Sequence, residues 1–227
     1  MSKNQLELCA EVLRRLKREG LLDHLILVGS WCLIAYKEYF RKVRYRPGIR
    51  TRDIDLLIPI PPQFDHHVDL EALLKDLDFV ISYKGRKGYI QLVHEQLMIE
   101  FLVPERGRGN AHPYPVPALG VNAQPLRFLD LLMQKTTRAD FEGIELTVPH
   151  PANFALQKLI VASRRAEPVK QENDLRQAVD VLRALVEAGE QNAILEVYRS
   201  MPLKWQQLIR KSLTDRPLAE AIVSLFN

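Results

Sequence analysis

The feature that most constrains this chain is a short run that apolar packing alone does not ask for. Residues 53–58, Asp-Ile-Asp-Leu-Leu-Ile, read as a buried strand that opens with two carboxylates at i and i+2, and Pro59, Pro61 and Pro62 close it. Side chains two apart on a strand point to one face, so Asp53 and Asp55 converge. Like charges held that close repel unless a cation stands between them. A divalent metal is the economical explanation. Upstream, residues 25–28 read as a second buried strand, ending in Gly29-Ser30 and then a helix over about 31–40, which offers backbone N–H groups at a helix start.

Around this pair the periodicities alternate between helix and strand. Leu6, Cys9, Leu13 and Leu16 predict a helix over 4–18, with Gly20 as its stop. Arg41, Lys42, Arg44, Arg46, Arg50 and Arg52 fall within a dozen residues just ahead of the aspartates. That run reads either as a solvated charged face or as an anion-binding rim. A helix over 68–76 buries Leu70, Leu73 and Leu74, and residues 79–84, 89–94 and 97–103 form a three-strand meander.

In the last of these strands Ile99, Phe101 and Val103 define one face, while Met98 and Leu102 flank Glu100 on the other. A carboxylate so placed is costly unless paired or metal-bound. Glu100 is therefore a candidate third ligand beside Asp53 and Asp55, the alternative being a solvent-facing position on the sheet surface. Residues 104–125 carry too much Gly and Pro for regular structure and read as a long loop. A helix over 126–134 and a strand over 144–148 follow, then the Pro149-His150-Pro151 corner. Beyond it the chain is helical, over 152–162, 174–188, 193–198, 203–213 and 218–226. The fold class is α/β (α+β), with a mixed half over 1–149 and an all-helical domain over 150–227.

With 227 residues and 47% hydrophobic content the chain can bury a sizeable core, and the net charge of +4 by itself predicts no nucleic-acid partner. Cys9 and Cys32 sit in apolar helical patterns and read as buried thiols. No run reaches the roughly 18 apolar residues of a membrane span, which places the chain in the cytoplasm. His94-Glu95 lacks the second histidine of a zinc-protease helix and reads as a hairpin end, and Trp31 and Trp205 read as packing residues.

Gly29-Ser30 after a strand, a helix, Asp53-x-Asp55 opening a strand and an acid on a later strand resemble the nucleotidyltransferase superfamily that includes DNA polymerase β. More narrowly, the chain is similar to a prokaryotic nucleotidyltransferase-like family related to the AbiEii-type toxins. That likeness rests on Pro149-His150-Pro151, Lys158, Arg164-Arg165, and Lys170-x-x-x-Asp174-Leu175 leading into Gln177 and Asp180. It covers about residues 20–190. Two departures stand out: 22 residues lie between Ser30 and Asp53, and Glu100 stands where many relatives carry Asp.

The resemblance implies a polymerase β-like mixed sheet flanked by helices and transfer of a nucleoside monophosphate from an NTP to an acceptor hydroxyl. Two Mg²⁺ ions would be held by Asp53, Asp55 and Glu100. Gly29 would admit the nucleotide's phosphates, with Ser30 as donor and Arg52 on the basic rim. The helical half is expected to close the nucleotide pocket through Lys158, Arg165 and Lys170. Lys158 equally suits a snorkelling lysine on an amphipathic helix, and Lys170 with Asp174 an i,i+4 ion pair. Candidate acceptors are RNA, such as a tRNA 3′ end, or a protein hydroxyl, and the basic loop leans toward RNA. The alternatives are a non-catalytic nucleotide- or RNA-binding relative, such as a toxin–antitoxin partner, and an aminoglycoside-modifying transferase. The basic loop argues against the last.

Overall fold

The computed structural model describes residues 3–48, 51–105, 107, 112–214 and 220–226. The chain divides into two compact units, residues 1–35 with 49–148, and residues 36–48 with 149–227. The elements run α1 (Lys3–Arg18), β1 (Ile26–Val28), α2 (Cys32–Tyr39), β2 (Asp53–Leu57), α3 (Leu70–Leu74), β3 (Val80–Lys84), β4 (Tyr89–Val93) and β5 (Met98–Pro104). They continue with β6 (Tyr114–Val116), β7 (Val121–Leu126), α4 (Leu129–Gln134), β8 (Thr136–Phe141) and β9 (Ile144–Pro149). The helical unit adds α5 (Pro151–Ala162), α6 (Pro168–Glu187), α7 (Gln191–Ser200), α8 (Leu203–Leu213) and α9 (Glu220–Val223).

The first unit is built on a mixed sheet of order β1-β2-β5-β4-β3, to which β7 adds on β5 and β6 on β7. The expected meander β3-β4-β5 is antiparallel, whereas β2 and β5 run parallel. Register decides what meets on each face. Val28 pairs with Asp55, Asp55 with Glu100, and Glu100 with Gln91, while Ile26, Leu57 and Leu102 pair two residues further along. One face of the sheet thus has two halves. Its apolar half, Ile26, Val28, Leu57 and Leu102, is covered by Leu129 and Leu132 of α4. Truncating Leu57 or Leu102 to Ala would cost about 2–5 kcal/mol. The polar half carries the carboxylates. On the opposite face Leu27, Ile54, Leu56, Leu92, Ile99 and Phe101 are all buried.

Several expectations need correction. Residues 104–125 are no simple loop: β6 and β7 form an antiparallel pair across a turn at Gly120, whose φ is 64°. Pro115 is exposed in the short β6, a place where a proline forfeits no ladder bond that matters. The helix expected from 126 starts at Leu129, because Leu126 still belongs to β7. The helix over 68–76 is shorter, Leu70–Leu74, and tightens into a 3₁₀ turn, Lys75–Leu77. The strand β8 was not expected, since Ala139 and Phe141 are its sole buried residues; it pairs with β9. The 218–226 helix is described from Glu220 as α9, followed by a 3₁₀ turn, Ser224–Phe226; Leu218 lies outside the described residues.

In the helical unit α5 is buried on nearly every side, the pattern of a central helix rather than a surface one. His150 caps it by accepting the Ala152 N–H at Nδ1 over 3.3 Å, and Pro151 fills the first helical position, where no N–H is needed. α6 begins at Pro168, ahead of the expected Asp174, because its opening turns are polar and show no apolar period.

Candidate active site

Asp53 and Asp55 stand on one face of β2, both half-buried, and parallel pairing sets Asp55 against Glu100 of β5. The expected convergence of the two strands is therefore real at the backbone. It does not make a three-carboxylate cluster, because among the described residues no three His, Cys, Asp or Glu side chains stand together as a metal-holding group. Glu100 is 9% exposed, and its Oε1 accepts the Lys84 ammonium at 2.6 Å as well as the Gln91 side-chain amide. Burial of a carboxylate demands such partners, and β3 and β4 supply them. Neither Lys84 nor Gln91 was singled out from sequence. The signal was available in Gln91, a polar residue between Ile90 and Leu92 in a meander strand that faces Glu100 once register is known.

Gly29 closes the other side of Asp55. It adopts φ 69°, a left-handed conformation that favours glycine. A Cβ built there would lie 2.9 Å from the Asp55 Cγ and 3.2 Å from its Cβ, with the carboxylate oxygen closer still. The bare Cα is thus the condition for Asp55 to stand where it does. Ser30 follows in a 3₁₀ turn, Gly29–Trp31, which leads into α2. Arg52 is exposed. Its guanidinium donates to the carbonyls of His94, at 3.1 Å, and Glu95, tying the entry of β2 to the β4–β5 turn. Of the remaining basic run, Arg41 pairs with Glu38 at 2.9 Å, Lys42, Arg44 and Arg46 are exposed, and Arg50 lies outside the described residues.

Residues 7–202 match the sequence family described as Nucleotidyltransferase. The chain belongs to that nucleotidyltransferase family. The match is to nucleotidyltransferases, and the narrower AbiEii-type likeness is no part of it. None of the curated proteins matches in sequence. Among solved structures, an antigenic nucleotidyltransferase-like protein from Paracoccidioides brasiliensis aligns with a TM-score of 0.52 and 14% identity, over 99% of this chain and 94% of its own. At that identity the likeness is one of fold. The antibiotic-resistance factor ANT(2'')-Ia aligns with a TM-score of 0.48 and 15% identity, over 88% of this chain and 98% of its own. A tRNA nucleotidyltransferase solved with a primer tRNA and an incoming ATP analogue aligns at 0.29 and 16%, over 93% of this chain and 62% of its own. The activity that goes with the family is nucleotidyl transfer.

In this nucleotidyltransferase the cations expected to bind phosphate from the helical unit are engaged within it. Lys158 Nζ lies 2.6 Å from Asp174 Oδ1, and Arg165 Nε donates to Asp174 Oδ2 at 3.0 Å. Asp174 is 5% exposed, so the acid is held between two cations. Lys158 is not a snorkelling residue on an amphipathic surface: its side chain is 12% exposed on the buried α5, 5.7 Å from the Phe154 ring centroid. A charge in so dry a place needs its partner. Lys170 pairs with Glu167 at 2.9 Å on the surface rather than with Asp174. Cys9 and Cys32 are buried free thiols, and burial pushes the Cys9 thiol up. Trp31 is fully buried, edge-on to Phe141 at 5.9 Å. No helix among the described residues is long and apolar enough to cross a membrane.

Proposed function

We propose that this chain transfers a nucleoside monophosphate from an NTP to an acceptor hydroxyl, with Asp53 and Asp55 holding a divalent cation. The observation that carries the reading is the pair of carboxylates on one face of β2, with the bare Cα of Gly29 against Asp55. Hard oxygen donors of this kind fit Mg²⁺, which completes its shell with phosphate and water. Glu100 fits less well, since its Oε1 already accepts from Lys84 and Gln91. When bound, the ion would supply Lewis-acid stabilisation of the charge that grows on the attacking and leaving oxygens.

The chain's own residues do the rest. Asp53 and Asp55 orient the reacting centre over the polar half of the sheet, and the turn of residues 29–31 directs N–H groups toward the nucleotide phosphates. The hydroxyl oxygen attacks the α-phosphorus, the bond to pyrophosphate breaks, and the hydroxyl proton passes to a carboxylate or to water. The exposed cations Lys42, Arg44 and Arg46 favour RNA as acceptor, a tRNA 3′ end being the first to try, over a protein hydroxyl.

The test is incubation with Mg²⁺, each α-³²P-labelled NTP in turn and total tRNA, beside Asp53→Asn and Asp55→Asn. Wild type should label the acceptor, and either variant should lose on the order of 10³-fold in rate, equivalent to about 4 kcal/mol of transition-state stabilisation. Equal labelling by the variants would sink the reading. A second reading, a non-catalytic nucleotide-binding relative, draws on the Lys84–Glu100 ion pair. Nucleotide binding that ignores Mg²⁺, with no label transferred, would favour it.

A further inference from the structure

We infer that Lys84 is the built-in cation of this site: its ammonium stands at Glu100 where a second divalent ion would, so the site loads one ion, on Asp53 and Asp55. The inference rests on the metal-dependent reading above and concerns the number and place of the ions. Its basis is a polar lane across three strands on one face. Glu100 of β5 pairs with Gln91 of β4, and Gln91 with Ser82 of β3. Lys84 lies two residues beyond Ser82 on the same strand, hence on the same face.

Two strand spacings, roughly 10 Å, separate β3 from β5. Lys84 spans them by reaching diagonally across β4 to end 2.6 Å from Glu100 Oε1. Gln91 supports the same oxygen through its amide. Two donors on Oε1, one of them a full positive charge, offset the cost of burying the carboxylate without a metal. A divalent ion on Glu100 would have to displace an ammonium from a 9% exposed acid, or sit beside it against charge repulsion. Lys84 itself is half-exposed on the outermost strand of the β1-β2-β5-β4-β3 path, so its replacement disturbs little packing.

Binding of Mn²⁺ to the full chain, counted by electron paramagnetic resonance of the free ion and checked by calorimetry, tests this without reference to turnover. Wild type and Glu100→Gln should each bind one ion per chain with the same affinity. Lys84→Met, which keeps an unbranched side chain one atom shorter and removes the charge, should gain a second ion, and Lys84→Met/Glu100→Gln should lose it again. Thermal melting of each variant establishes that it is folded, and the wild type against Glu100→Gln comparison decides the matter even where Lys84→Met does not fold. Two ions on wild type, one of them lost in Glu100→Gln, would overturn the inference and leave the metal-dependent reading intact. A single ion on folded Lys84→Met would also overturn it. No Mn²⁺ on any form would overturn both.

Discussion

The carboxylate end of the sheet and the Asp174 clamp of the helical unit use the same side chains to opposite ends. In the clamp one acid answers two cations, Lys158 and Arg165, in a nearly dry place. At the sheet, pairing and periodicity bring Asp53, Asp55 and Glu100 to one half of one face, and Lys84 reaches Glu100. Like charges gathered on one part of a sheet face suit the binding of a ligand, whereas opposite charges matched in a dry place hold a structure together. Removing an acid should therefore harm stability in the helical unit and activity in the sheet. Asp174→Ala gives the largest effect on stability. Breaking a buried pair by deleting one partner costs about 3–5 kcal/mol, and the lower end applies because Arg165 is 43% exposed and can rehydrate. With roughly 2–4 °C of midpoint per kcal/mol in a chain of this size, thermal melting should fall by several degrees. Asp55→Asn should leave the midpoint unchanged or raise it. A midpoint drop in Asp55→Asn equal to that of Asp174→Ala would erase the distinction.

A sharper form of the contrast concerns Gly29. In Gly29→Ala the new methyl meets the Asp55 carboxylate, and an alanine at φ 69° pays about 1–2 kcal/mol of backbone strain. Because Asp55 must swing away, transfer should fall by more than that strain alone predicts. Gly120→Ala is the control: its φ of 64° is similar, and no atom lies within 4 Å of the added carbon. Equal loss of transfer in the two variants would show that Gly29 matters to the backbone alone.

The pattern of what was legible follows from what periodicity encodes. Short apolar runs bounded by turn residues revealed β2 and the meander, although β5 turns out to be buried on both faces, and period 3.6 with Gly20 revealed α1. The acids on β2 stood out because an apolar strand has no use for them. Partners across strands were not legible. That Lys84 and Gln91 meet Glu100 depends on register, which no single strand carries. Lys158 and Arg165 were expected at phosphate on the strength of the resemblance, and their pairing with Asp174, 16 and 9 residues away, was not legible in the sequence. β6 and β7 were hidden by Pro115 and Pro125, which weaken the strand signal in a pair that uses them at tolerated positions.

The smallest expected effect probes whether the helical unit's polar contacts all work as the clamp does. Tyr39 donates to Glu190 Oε2 at 2.7 Å and lies 3.1 Å from His150 Nε2. Since His150 Nδ1 accepts the Ala152 N–H, its proton sits on Nε2 and points to the Tyr39 oxygen, so the row runs from imidazole to phenol to carboxylate. Burial first, and then the Glu190 carboxylate, push the Tyr39 phenol well above its ordinary value. The folded state thus favours the neutral phenol. This contribution is fully present below the unfolded value of about 10 and is lost as pH rises beyond it toward the folded one. Tyr39→Phe removes two hydrogen bonds, worth about 1 kcal/mol each, one from the buried His150 and one to Glu190, which is half-exposed and able to rehydrate. Denaturant midpoints taken from pH 8 to pH 12 should show wild type falling toward the variant above about pH 10, so that the two curves converge. Parallel curves would mean that Tyr39 ionises as freely in the folded chain as in the unfolded one, and that the helical unit does not match its polar groups as closely as Asp174 matches its cations.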